Sequence, residues 1–208
     1  MSDVSLTQKV KSFAFGEGVS LVGIAPVSRW EKAPVQHSPA GIFPEAKSVI
    51  VCALHIPDAC VELGAEDDVR ESGLGFVQGN VTLTLNHVAL RVARFMEDNG
   101  WKAVPVAATV LWNYRAQPGA ERGWMSDMCH YYAAACAGLG EIGWNNLCIT
   151  PQYGTRQRFI SIITDAELEP DPLYSGEPLC DKCFLCVKNC PTKSFEKELC
   201  GNCVIEIE

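Results

Sequence analysis

The sequence predicts an α+β domain that extends to about residue 175, followed by a small cysteine-rich segment over residues 176–208. Three observations support this division. Short apolar runs of strand length alternate with segments whose apolar residues recur at helical spacing. Two acidic, proline-bearing stretches, 167–172 and 175–178, mark a boundary or linker. Six of the eleven cysteines lie beyond that boundary, and the other five are scattered before it.

Four segments are the predicted strands of the first zone. Residues 19–25 and 48–56 are short, mostly apolar runs, each closed by a proline, which is typical of buried strands. The run 103–110 contains Pro105, which has no backbone N–H to donate, so we expect an edge strand or a broken one. Residues 158–164 alternate and are apolar enough for the fourth strand.

Two helices are predicted beside these strands. Apolar residues at helical spacing over 81–95 indicate the first helix, and the Asn-Gly pair at 99–100 supplies its C-terminal stop. The second helix starts at Ser126 or Asp127, either of which could cap it, and runs to Gly138.

The bulk composition excludes several classes of protein. A hydrophobic content of 48% with 20% charged residues is globular rather than disordered. The net charge of −8 argues against a nucleic-acid partner, which would need a basic surface. The first residues form no apolar leader, and no apolar run approaches the roughly 20 residues of a membrane-spanning helix. We therefore expect a cytoplasmic protein without a membrane partner, whose thiolates stay reduced and available to metal.

The strongest motif is the run Cys180-x₂-Cys183-x₂-Cys186-x₃-Cys190-Pro191, which has the spacing found in bacterial ferredoxins. Thiolates at two-residue gaps on a tight loop converge on the irons of a cubane, and a proline ends the loop. The fourth cysteine of such a run typically points to a different cluster. The cassette therefore predicts at least one [4Fe–4S] cluster and a redox role.

The number of clusters and the fourth ligand stay open at this stage. Two clusters need eight cysteines, whereas this segment has six, and Glu206 stands where a second motif would place its third cysteine. One cluster is favoured and two are the alternative. Cys180, Cys183 and Cys186 would supply three ligands, and the fourth is Cys190, Cys200 or Cys203. Structural zinc on the pairs 180/183 and 200/203 is the competing interpretation, and it leaves two cysteines unexplained.

Gly138-x-Gly140-x-x-Gly143 has the spacing of a dinucleotide fingerprint. That fingerprint needs a strand before it and a helix after it, but helical residues precede it here. We expect instead a glycine turn whose backbone can approach some other flat cofactor. Further along, Arg156 and Arg158 could hold an anionic group, with a solvated strand face as the alternative.

Several longer stretches carry a family resemblance. They are His-Tyr-Tyr-Ala-Ala-Ala-Cys-Ala-Gly-Leu-Gly-Glu-Ile-Gly at 130–143, Leu-Cys-Ile-Thr-Pro-Gln-Tyr-Gly at 147–154 and Ile-Thr-Asp-Ala-Glu-Leu-Glu-Pro at 163–170. In this order, ahead of the cassette, they resemble the epoxyqueuosine reductase family and its relatives, the corrinoid reductive dehalogenases. Residues 43–50 and 95–106 also look like that family. The likeness covers nearly the whole chain from about residue 20.

The resemblance implies a nitroreductase-like α+β sandwich that binds cobalamin, followed by a partial ferredoxin-like module that passes electrons to the cobalt. The substrate would be a small molecule and the electron donor another protein. FMN in the same pocket is an alternative, and a [4Fe–4S] carrier or remnant without corrinoid is another. The family's aspartate proton donor has no counterpart, because residues 106–112 contain no acid. By position, Tyr131, Tyr132 or His130 would then donate the proton. The residues expected against the cofactor are Gly138, Gly140, Glu141, Gly143, Asn145, Thr150, Tyr153, Gly154 and Arg156.

Overall fold

The computed structural model describes residues 5–33, 37–63, 74–109 and 128–195. The helices are α1 (Leu6–Gly16), α2 (Pro39–Ile42), α3 (Asp58–Leu63), α4 (Leu74–Asp98), α5 (His130–Cys136) and α6 (Leu185–Asn189), with a 3₁₀ turn at Val27–Trp30. The strands are β1 (Leu21–Pro26), β2 (Ser48–His55), β3 (Ala103–Val106), β4 (Glu141–Ile142), β5 (Cys148–Ile149) and β6 (Gln157–Thr164). Within these ranges, no helix is both long and apolar enough to cross a membrane.

One antiparallel sheet organises the domain, with strand order β1-β2-β6-β3. Most residues of the central strands β2 and β6 are buried. Cys52 of β2 pairs with Ile160 of β6. Alternate side chains face opposite sides of the sheet. Ile50 packs with α1 and α4 on one side, and Val51 packs with α5 on the other. The result is a mixed α/β fold with an apolar core on each face of the sheet.

Three of the four predicted strands are confirmed to within two residues at their boundaries, as β1, β2 and β6. The run 103–110 forms a strand only at Ala103–Val106. Pro105 lies on β3, and β3 is the edge strand beside β6. An edge position tolerates proline because its outer side forms no ladder. Residue 110, the end of that predicted run, lies outside the described residues. The first predicted helix corresponds to α4, and Gly100 at φ +86° follows its end.

The predicted start of the second helix is wrong. Helix α5 begins at His130, and Cys129 before it is extended at φ −85° and ψ 110° without a side-chain cap. Ser126 and Asp127, the predicted caps, lie outside the described residues. Capping residues indicate where a helix could start, but here the chain turns into the helix later.

The stretch expected to be a linker packs back onto the domain, and we call residues 165–173 the strap. Ala166 and Leu168 of the strap are buried. The backbone N–H of Leu168 donates to Ser48 Oγ at 3.0 Å. Asp171 accepts from Lys11 Nζ at 2.6 Å and from the N–H of Ile24 at 2.8 Å. The strap is therefore held to both α1 and β1 before the chain enters the cysteine cassette.

Arg29 ties the strap to the end of α5. Its guanidinium donates to the carbonyl of Asp171 at 2.8 Å and also to the carbonyl of Cys136. Just beyond, Gly138 adopts φ +73°, and a Cβ atom there would overlap the carbonyl of Pro172. The strap therefore crosses directly over the glycine turn, which is why no larger residue fits at position 138.

We expect Gly138→Ala to destabilise the protein by about 3 kcal/mol, because the methyl group meets backbone atoms and the left-handed conformation adds strain. Gly18→Ala is the matched control, since Gly18 has φ +89° with no atom within 4 Å of a Cβ. It should cost only about 1 kcal/mol. Urea denaturation of both variants measures the difference, and equal losses would show that the strap does not constrain this turn.

Candidate redox site at the cysteine cassette and glycine turn

The glycine turn follows a helix and precedes a strand. Helix α5 ends at Cys136, and β4 begins at Glu141. This order is the reverse of that in a dinucleotide-binding turn, where the N-terminus of the following helix holds the pyrophosphate. The turn leads into a hairpin in which Glu141 pairs with Ile149 of β5.

Other parts of the chain pack closely on the glycines of this turn. A Cβ on Gly140 would overlap the carbonyl of Ile149, and a Cβ on Gly143 would collide with the Ile149 side chain at 2.6 Å. Close approach of the β5 backbone therefore accounts for Gly140, whereas Gly143 is surrounded by side-chain atoms of Ile149 and Asn145. A sequence cannot distinguish glycine that admits a cofactor from glycine that admits another strand.

The turn from Thr150 to Gly154 is closed by its own hydrogen bonds. The two residues exchange backbone bonds of 2.8 and 2.9 Å, and Thr150 Oγ1 accepts from the N–H of Tyr153 at 3.2 Å. The amide of Gln157, which is 2% exposed, donates to the carbonyls of Cys148 and Gly154. The turn is thus preorganised, with Gln157 as a buried support that sequence reasoning did not single out.

Tyr153 and Arg156 contact His55 and Asp58, which lie far from them in sequence. The Tyr153 ring stacks on His55 at 4.3 Å between centroids. His55 Nε2 lies 3.2 Å from Asp58 Oδ1, and Arg156 Nε lies 3.0 Å from the same oxygen. The Asp58 carboxylate thus already pairs with Arg156. Arg158 instead donates to Thr109 Oγ1 at 2.8 Å.

The three candidate proton donors have different neighbours. Tyr131 packs edge-on against Phe159 at 6.0 Å between ring centroids. The hydroxyl of Tyr132 donates to Asn146 Oδ1 at 3.0 Å, in the hairpin connection. Neighbouring Asn145 is used locally, because its Oδ1 accepts from the N–H of Leu147 at 3.2 Å.

Both ring nitrogens of His130 are hydrogen bonded. Nε2 lies 2.8 Å from the carbonyl of Ala107, and Nδ1 lies 2.9 Å from Ser161 Oγ. A carbonyl can only accept, so Nε2 carries the proton and Nδ1 accepts from the Ser161 hydroxyl. Burial lowers the pKa of His130, the hydrogen bond to the Ala107 carbonyl partly opposes this, and the nearby Arg158 cation adds to the lowering. His130 is therefore a neutral residue that bridges α5 to the sheet.

The cysteine cassette contacts the glycine turn through Cys180. The backbone N–H of Cys180 donates to Glu141 Oε1 at 2.7 Å. The backbone N–H of Trp144 donates to Cys180 Sγ at 3.4 Å. The Trp144 ring also packs edge-on against Phe184 at 5.0 Å. The first cysteine of the cassette is therefore fixed to the segment that the sequence analysis associated with a cofactor.

The cassette loop is sharply curved around Cys183. Lys182 and Phe184, on either side of it, have φ of +54° and +57°. Non-glycine residues adopt this left-handed conformation uncommonly, and it lets a short loop turn its side chains toward one side. Asp181 Oδ1 accepts from the Cys183 N–H at 3.1 Å and stabilises the bend. Cys186 follows on α6.

Cys190 is supported by polar neighbours. The Thr192 hydroxyl and the N–H of Ser194 each lie 3.4 Å from Cys190 Sγ. These hydrogen bonds lower the pKa of Cys190 to about 7, and the bond with the Thr192 hydroxyl has the largest effect. Hydrogen bonds to sulfur favour the thiolate form that binds metal.

The donor chemistry of the cassette suits a soft-metal or iron–sulfur group, since its four thiols are all free and two accept backbone N–H groups. Within residues 5–33, 37–63, 74–109 and 128–195, no group of three or more His, Cys, Asp or Glu side chains is gathered as a metal site. Metal binding commonly completes such loops. Cys200, Cys203 and Glu206 lie outside the described residues, so the cluster count and the fourth ligand stay predictions.

Five cysteines precede the cassette, and three of them are buried, as expected for cysteines that serve as apolar core residues. Cys52, Cys136 and Cys148 are buried, and burial raises the pKa of each thiol to about 12. Cys60 and Cys129 are partly exposed. Thiols with so high a pKa hold little thiolate and are poor metal ligands.

Comparison with known proteins relates the chain to two groups of enzymes, although no family model matches it. The tetrachloroethene reductive dehalogenase of Dehalobacter restrictus is 30% identical over 186 residues, covering 88% of this chain and 28% of the relative. The epoxyqueuosine reductase of Listeria monocytogenes is 30% identical over 157 residues, which cover 76% of this chain and 38% of that enzyme. The chain thus spans well under half the length of these curated relatives.

Solved structures share the fold. A catabolic reductive dehalogenase superposes with a TM-score of 0.70 at 18% identity, over 94% of this chain and 27% of that one. An epoxyqueuosine reductase solved with a tRNA stem loop superposes with a TM-score of 0.63 at 17% identity. The superposition covers 91% of this chain and 52% of that one. The mixed α/β domain with its antiparallel sheet is therefore the fold common to both groups.

The resemblance seen in the sequence is confirmed: this chain is a homologue of the epoxyqueuosine reductases and the reductive dehalogenases. This relationship supports a redox role. It does not support the expectation of no nucleic-acid partner, which was drawn from net charge, because one of these structural relatives was solved with a tRNA stem loop.

We expect His130 to make the protein less stable in acid. The pKa of His130 is lowered in the folded state, so the unfolded chain takes up a proton first as the pH falls below about 6.5. Its contribution to the free energy of unfolding should therefore decrease below that pH, by at most about 1.4 kcal/mol per pH unit. Urea denaturation at pH 5 to 8 should show a shallower pH dependence for His130→Gln. Parallel profiles for the two proteins would contradict this assignment.

Proposed function

We propose that this chain is an iron–sulfur redox protein of two parts. The cassette segment, residues 176–208, would bind one [4Fe–4S] cluster through Cys180, Cys183, Cys186 and a fourth cysteine. The domain to about residue 175 would receive the electrons for reduction of a small substrate. One observation carries the proposal: the cassette is joined to the glycine turn at Cys180.

The contact between cassette and turn provides a short route for electrons. A cluster bound by these thiolates would supply electrons one at a time. Cys180 Sγ accepts the N–H of Trp144, and Glu141 at the start of β4 accepts the N–H of Cys180. Beyond β4, the hairpin reaches the sheet through Cys148, whose carbonyl accepts from Gln157 of β6. The route from the proposed cluster ligand into the domain therefore consists of hydrogen bonds, hairpin backbone and the Gln157 side chain.

We further propose a corrinoid as the electron acceptor, with FMN as the alternative. The support is the relationship to proteins such as the reductive dehalogenase described as performing B12-dependent dehalogenation. Three of the residues expected against the corrin have partners within the chain, since Gly140 and Gly143 pack on Ile149 and Arg156 pairs with Asp58. We therefore derive no step through a corrinoid here. Reduction of epoxyqueuosine is not proposed, because residues 106–112 contain no acid.

A second candidate is a non-enzymatic [4Fe–4S] electron carrier. It is favoured by the internal packing of the glycine turn, which explains Gly138 and Gly140 without a cofactor. In that case the N-terminal domain would be a binding module for a redox partner. The two candidates share the cluster and differ only in whether the domain holds a second redox group.

We expect anaerobically purified protein to contain about four iron and four sulfide per chain. Cys186→Ser should lose most of this iron, because serine replaces a thiolate ligand. Cys60→Ser is the matched control, since Cys60 lies on α3 outside the cassette, and it should retain the iron. Metal and sulfide analysis measures both. Zinc without sulfide in the wild-type protein would refute the cluster and support the structural-zinc interpretation.

Corrinoid binding separates the enzyme from the carrier. If the domain accepts a corrinoid, we expect about one cobalt per chain after incubation with cobalamin and gel filtration, together with a corrinoid absorption band. A chain that keeps its iron but elutes without cobalt would instead support the carrier.

A further inference from the structure

We infer that Glu141 is a positioning residue for the cluster and makes the reduction potential of that cluster more negative. The inference rests on the proposed [4Fe–4S] cluster and assigns a residue that tunes it. Glu141 was expected to contact a cofactor in the domain. Its carboxylate instead accepts the backbone N–H of Cys180 at 2.7 Å.

The Glu141 carboxylate is held by the fold rather than by the cassette. Glu141 is the first residue of β4 and pairs with Ile149 of β5. The preceding Gly140 packs so closely on the Ile149 carbonyl that the backbone cannot shift toward it. The hairpin therefore holds the Glu141 backbone in place, and from there the carboxylate reaches the N–H of Cys180.

Glu141 and Trp144 together fix Cys180 at two atoms. Glu141 holds the backbone nitrogen, and the N–H of Trp144 holds Sγ at 3.4 Å. The edge-on packing of Trp144 on Phe184 adds a third contact with the same loop. Two groups three residues apart thus determine where the first ligand of the cluster lies.

The charge on Glu141 should oppose reduction of the cluster. Gaining one electron makes the cluster and its thiolates one unit more negative, and a carboxylate bonded to a ligand residue repels that charge. The Trp144 N–H acts in the opposite direction, because it donates to the ligand sulfur. Asp181 and Lys182 also carry charge in the cassette but are exposed, so solvent screens them more strongly.

Two substitutions separate positioning from charge. Glu141→Gln keeps an oxygen that can accept the Cys180 N–H and removes the negative charge. Glu141→Ala removes both. Glu17→Gln is the matched control, because it removes the same formal charge from Glu17, which pairs with Arg91 on the α1–α4 side of the sheet, opposite α5.

The measurement is a redox titration of the full cluster-loaded chain with dithionite and mediators, followed by EPR and visible absorbance, together with iron content. We expect Glu141→Gln to load iron as the wild type does and to have a less negative midpoint potential. Glu141→Ala should have the same direction of shift and lower iron content. Glu17→Gln should match the wild type in both.

The outcomes distinguish this inference from the proposed function. A wild-type chain without iron overturns the proposed function and this inference with it. A wild-type chain that carries the cluster, with Glu141→Gln at the potential of Glu17→Gln, overturns the charge role alone. Full iron loading of Glu141→Ala overturns the positioning role.

Discussion

The passage of the strap over Gly138 is the constraint on which the rest of the described structure depends. Asp171 binds Lys11 and β1, and Arg29 joins the strap to the end of α5. Only glycine fits beneath the carbonyl of Pro172. Because only residues 174–179 separate the strap from Cys180, these contacts determine where the cassette begins.

This arrangement brings the cassette into contact with the N-terminal domain. Cys180 lies against the β4–β5 hairpin, and hydrogen bonds to Glu141 and from Trp144 join them. A ferredoxin-like segment on a free linker would need a docking step to reach a redox partner. Here the connection is short and intramolecular, which is the physical basis for proposing that electrons enter the domain by this route.

Many of the hydrogen bonds around the glycine turn join one part of the domain to another. The glycines admit β5, Gln157 supports the Thr150–Gly154 turn, and His130 bridges α5 to the sheet as a neutral residue. The glycines, His130 and the Thr150–Gly154 turn lie in stretches that carry the family resemblance, yet most of the contacts described for them are structural. Homology to the epoxyqueuosine reductases and reductive dehalogenases therefore supports a redox role more directly than it supports any one residue's part in it.

The sequence by itself determined the elements that local pattern controls. The β2 and β6 runs, the edge position of Pro105 and the stop after α4 all follow from apolar spacing and backbone chemistry. Local pattern could not reveal the strap contacts, the pairing of Asp58 with Arg156, or the bond from Cys180 to Glu141, because these join residues distant in sequence. Only the tertiary structure decided that the strap and β5 occupy the space above Gly138 and Gly140, and that Glu141 faces the cassette.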